Sequence, residues 1–119
     1  MRIGLLSVVL AICLPGLTWA QADRPMDCKT GPVDKTVGGT AWLLYSCSDG
    51  RTILLISAAD SPAAPFYFLI YPDGDRLMIE GEGTGNRAAT AAAVAELRKF
   101  EPSAIVAWIA ETKRPRKAE

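Results

Sequence analysis

Apolar positions along the chain fall into short dense runs separated by breaks marked with proline and glycine. Residues 40–47 (TAWLLYSC), 51–58 (RTILLISA), 66–71 (FYFLIY) and 76–80 (RLMIE) have the length and the β-branched and aromatic content of strands. Asp49-Gly50 supplies the positive φ angles that a tight hairpin needs between the first two runs. Pro72-Asp73-Gly74-Asp75 joins the last two, while Pro62 and Pro65 keep the loop 59–65 out of any ladder. Four antiparallel strands in sequence order make a meander, with no room for parallel crossovers.

Alternation fails in the middle of this meander. A sheet with one wet face reads apolar-in, polar-out. Ile53, Leu54, Leu55 and Ile56 instead run together, as do Phe66, Tyr67, Phe68, Leu69, Ile70 and Tyr71. Both faces of these strands are therefore expected to be covered. One cover is the C-terminal third; the other is the N-terminal segment, a strong curl of the sheet, or another protein chain.

After residue 86 the period changes. Asn86 is a suitable N-cap for an alanine-rich helix running to about residue 99, with Ala93, Leu97 and Phe100 on one face and Val94 flanking. Arg87, Glu96 and Arg98 are expected on the opposite, wet side. Pro102 suits the first turn of a second helix, in which Ile105, Trp108, Ile109 and Thr112 repeat at helical spacing until Pro115 stops it.

Residues 1–20 read as a secretory signal peptide. Arg2 precedes an apolar run over residues 3–14, Pro15-Gly16 breaks it, and Thr18-Trp19-Ala20 places small residues where a signal peptidase reads. That run is too short to span a bilayer, which takes about 20 residues. The chain is thus expected to be exported to the periplasm or beyond, with no integral membrane segment after cleavage. Residues 21–39 show no periodicity and are expected to be an irregular N-terminal arm, followed by an α+β domain over 40–114 and a basic tail over 115–119.

The 119 residues carry 13 basic and 13 acidic groups, but the balance is uneven. Lys113, Arg114, Arg116 and Lys117 crowd the end, so residues 21–112 hold 8 basic against 12 acidic side chains. An acidic body with a short basic end offers no broad nucleic-acid footprint. Cleavage at Ala20 would leave two cysteines, Cys28 and Cys47, and in an oxidising compartment such a pair is expected to be a bridge.

The chain contains no histidine, which removes the usual Ser-His and Cys-His nucleophile arrangements and the commonest transition-metal ligand. No metal or cofactor is expected. Glu80 and Glu82 lie on one side of an extended segment, as an acid-base pair requires, and define an alternative reading as a small periplasmic enzyme. Charges there also protect an edge strand from unwanted pairing, and that reading is adopted. Asp73 and Asp75 lack the ligand spacing of a calcium loop.

Gly83, Thr84, Gly85, Asn86 and Arg87 form a candidate anion-binding loop, since helix N-terminal amides attract anions. The G-x-G-x-x-A pattern is no dinucleotide fingerprint, because no parallel strand or ribose-binding acid follows. The alternative is that the glycines let the chain turn sharply from sheet to helix. Trp42, Tyr45, Tyr67 and Tyr71 form a candidate interaction surface, with the core as the competing place for large aromatics.

From CSDGRTILLISAAD through GEGTGNRAATAAAVAELRKF and EPSAIVAWIAETK, the chain resembles small secreted proteins of unknown function from Gram-negative bacteria. That likeness implies a similar order of elements and no activity. Tyr45-Ser46-Cys47-Ser48-Asp49-Gly50 is also similar to the tyrosine-x-cysteine hairpin of periplasmic lysozyme inhibitors of the MliC type. The serine-glycine and tryptophan-containing inhibitory segment of that family is missing, and two C-terminal helices do not suit its all-β barrel. Inhibitory residues are therefore not carried over. The combined expectation is an α+β domain, a four-stranded antiparallel meander with two helices on one face. Its function is read as a non-catalytic binding or protein-interaction module for an unknown protein or small ligand, with a homodimer through the uncovered sheet face as one form. Lysozyme-type inhibition and carboxylate-pair catalysis are the alternatives.

Overall fold

Residues 26–115 are described in the structure, a computed structural model. The signal-peptide segment, the start of the N-terminal arm and residues 116–119 of the basic tail lie outside them. Five strands, β1 (Thr30–Val37), β2 (Thr40–Ser46), β3 (Ile53–Ser57), β4 (Phe66–Asp73) and β5 (Arg76–Gly83), form one antiparallel sheet in the order β1-β2-β3-β4-β5. Two helices follow, α1 (Arg87–Leu97) and α2 (Pro102–Thr112).

The fold is the expected α+β meander with one strand more. Much of the segment expected to be an irregular arm is the edge strand β1, paired with β2 in unbroken register from Val33↔Leu44 to Val37↔Thr40. Gly38 and Gly39 both have positive φ and close that hairpin in two residues. Pro32 lies in β1, at the sheet edge, where a missing N–H is tolerated.

Strand alternation defines an inner face. Trp42, Leu44, Ile53, Leu55, Phe68 and Ile70 are fully buried there against Ala93 and Leu97 of α1 and Ile105 and Ile109 of α2. Trp42 and Phe68 pack with ring centroids 5.3 Å apart, and the indole N–H of Trp42 donates to Thr40 Oγ1 at 2.9 Å. Tertiary burial of this kind, more than alanine propensity, holds 11-residue helices in place.

The helices carry the caps the sequence implied. Asn86 Oδ1 accepts from the Ala89 amide at 3.0 Å, and Pro102 occupies the first turn of α2. Glu96 does not face water as expected: its carboxylate accepts the Gly38 amide at 2.7 Å and ties α1 to the first hairpin. The Cys28–Cys47 disulfide is present and fastens the chain before β1 to the end of β2.

Candidate functional site

The opposite, outer face of the sheet is where the candidate surface lies. Register places Leu43, Tyr45, Leu54, Ile56, Tyr67, Leu69 and Tyr71 on it side by side, through Tyr45↔Leu54, Leu54↔Leu69, Leu43↔Ile56 and Ile56↔Tyr67. Both helices occupy the inner face, and β1 extends the sheet in its own plane, so no described strand or helix lies over the outer one. The expected second cover is thus absent among the described residues. The outer side chains are half-buried by one another, and Tyr67 stays 38% exposed.

Of the four aromatics proposed as an interaction surface, three share this face and one does not. Trp42 is fully buried on the inner face, where its large apolar surface packs against Phe68. Tyr45, Tyr67 and Tyr71 remain. The aliphatic members, Leu54, Ile56 and Leu69, were not among the residues read as functional; the signal for them is the unbroken apolar run of β3 and β4 read with a period of two.

One end of the face deepens into an open groove of about 970 Å³, walled by Leu54 and Ile56 of β3, Tyr67 of β4 and Ala64 and Pro65 of the preceding loop. Hydrogen bonds hold that loop in shape. The Ser61 amide donates to the Ala58 carbonyl at 2.9 Å, the Ala64 amide to the Ser61 carbonyl at 3.0 Å, and the Phe66 amide to Ser57 Oγ at 3.0 Å. Glu82 is the one charged residue lining the groove among the described residues.

Glu80 and Glu82 lie on the outer face opposite Leu69 and Tyr67. Both are exposed, and each accepts a tyrosine hydroxyl proton: Tyr67 Oη to Glu82 Oε1 at 2.8 Å, and Tyr71 Oη to Glu80 Oε2 at 2.7 Å. These hydrogen bonds, with the carboxylate charges beside them, hold both phenols above their usual value of 10. The two carboxylates are therefore engaged by separate partners on an open surface, not paired with each other in a cleft.

Three amides of the 83–87 loop are engaged by the loop that precedes β4. The amides of Thr84 and Gly85 donate to the Pro65 carbonyl at 3.0 and 3.1 Å, and the Asn86 amide donates to the Pro62 carbonyl at 3.1 Å. Those three are thus spent on the groove loop, while the Arg87 and Ala88 amides at the start of α1 take no partner among the described residues. Gly85 passes so close to that loop that a Cβ would strike the Ala63 carbonyl. Arg87 is exposed at the start of α1. The glycines serve the close crossing of two backbone segments.

Among the described residues no helix is long and apolar enough to cross a membrane. The disulfide is consistent with an exported protein. Comparison with family models, with curated proteins and with solved structures finds no match to this chain.

Proposed function

We propose that the protein is an exported, non-catalytic binding module whose working surface is the outer face of the sheet. One observation carries the reading: a contiguous, in-register set of aliphatic and tyrosine side chains with no described element packed over it. Apolar faces of that kind are costly to leave in water and mark interaction sites. Tyrosine is well suited to such a surface, since it buries a large ring while its hydroxyl stays satisfied at the rim.

The carboxylate pair supports this reading better than acid-base catalysis, because each carboxylate is exposed and engaged by a tyrosine. Nothing in the geometry favours lysozyme inhibition, and an assay of lysozyme with the purified protein addresses that directly. The binding reading is tested by sedimentation at micromolar concentration and by capture from periplasmic extract, with the native protein and with Tyr67→Lys. Native protein should self-associate or retain a partner, and the lysine variant should lose either one while staying folded. Identical mass and identical captured material for the two proteins would overturn the proposal.

A further inference from the structure

The groove at one end of the outer face has a chemical polarity, and this deepens the binding reading on which it rests. Its walls are largely hydrocarbon and aromatic ring, and among the described residues its single charged lining residue is the acid Glu82. The next residue along the loop from Ala59, Asp60, is exposed and also acidic. Between Thr52 and Asn86 the only basic residue is Arg76, and Arg87, just beyond, lines the neighbouring hollow past Thr84 and not the groove itself. Arg76 stands opposite Asp73 at the β4–β5 turn, whereas the groove lies at the other end of those strands, beside the pairs Tyr67↔Glu82 and Phe66↔Gly83.

Glu82 is also held ready. Tyr67 donates to its Oε1, and Oε2 takes no hydrogen bond from any described residue. A fixed carboxylate with one free oxygen, beside a tyrosine ring and above an apolar trough, is complementary to an ammonium group on a hydrocarbon chain. The volume, about 970 Å³, is that of a small-molecule site and exceeds what one side chain of a partner would fill.

We infer that this groove binds a small cationic amphiphile, its alkyl portion lying along Leu54, Ile56 and Pro65 and its ammonium group at Glu82. An alkyl carboxylate would meet Glu82 and Asp60 with like charge and be rejected.

Calorimetric titration of the purified protein at low salt tests this with three ten-carbon probes kept below micelle concentration: decylamine, decyl maltoside and decanoate. Decylamine should bind about fivefold tighter than the neutral maltoside, the gain of one exposed ion pair with a cation–π contact, and decanoate more weakly than either. Glu82→Gln should abolish the decylamine advantage over maltoside, while Ile56→Ser should weaken all three. Tyr67→Phe, which keeps the ring but releases Glu82, should reduce the advantage in part. Circular dichroism confirms that each variant is folded. Equal affinity for decylamine and maltoside, or a decylamine advantage that survives Glu82→Gln, overturns the charge assignment while leaving an apolar binding face. Absence of binding by every probe overturns the amphiphile site outright, and the sedimentation and capture experiment then decides the wider reading separately.

Discussion

Tyr67 and Tyr71 each lend a hydroxyl proton to a glutamate, and the consequence is measurable in their titration. Both phenols should ionise above pH 10, and Glu82→Gln should bring Tyr67 back toward that value without moving Tyr71, as followed by phenolate absorbance. Because the folded-state pKa is raised, whatever these bonds add to stability is fully present below pH 10 and disappears as pH rises through the raised value. At the acidic end Asp49 behaves oppositely. Burial pushes its carboxyl up, but the Thr52 hydroxyl, the Arg51 and Thr52 amides and the Arg51 charge outweigh this and hold it below 3.8. Its contribution is present above pH 3.8 and is lost as pH falls through the lowered value. Gly85 has little freedom to change. Gly85→Ala drives a methyl group into the Ala63 carbonyl and should destabilise the fold by about 1–3 kcal/mol in urea unfolding.

Among the elements, β1 depends most on a single side chain. Lys35 lies on the inner face of this edge strand, opposite Trp42. Its ammonium reaches Glu111 Oε1 of α2 at 2.7 Å and sits 4.6 Å from the centre of the Trp108 ring, which itself meets Phe100 edge-on. Both partners of the ion pair are less than a third exposed. Lys35→Ala should therefore cost about 1–2 kcal/mol, and hydrogen exchange should report the loss first in β1. The same lysine explains why β1 was hidden in the sequence. A charged residue at the strand's central inward position breaks the apolar alternation, and Gly31-Pro32 reads as loop punctuation. Val33 and Val37, each two residues from the lysine and closed by Gly38-Gly39, were the remaining trace of a hairpin. β2 to β5 were legible because their apolar runs are long and bounded by strong turns, and α1 and α2 because Asn86 and Pro102 announce their first turns.

For the molecule as a whole, the inner core could be read from residue pattern, but the status of the outer face could not. An uninterrupted apolar strand says that both sides disfavour water; it does not say what covers them. Trp42 shows the limit at the candidate surface, since its place on the inner side follows from register and not from residue type. The groove depended on the 62–65 loop being pinned by amides 84–86, a long-range match with no sequence signal. Global stability should lean on the bridge that sequence did suggest. Replacing Cys28 and Cys47 together by serine opens a loop with a sequence separation of 19 and should cost about 3 kcal/mol in equilibrium unfolding.

Beside that bridge, Ser46 hydrogen-bonds Thr112 at 2.7 Å, and Thr112 in turn donates to the Ile109 carbonyl. Cys28 near the start of the described chain and Thr112 near its end are thus moored to consecutive residues, Cys47 and Ser46, where β2 ends. That mooring stands at the strand end carrying Ser46↔Ile53 and Ile53↔Ile70, whereas Ser57, Phe66 and Gly83 border the groove at the other. A tether joined beside either mooring would consequently start from the end of the sheet away from the trough.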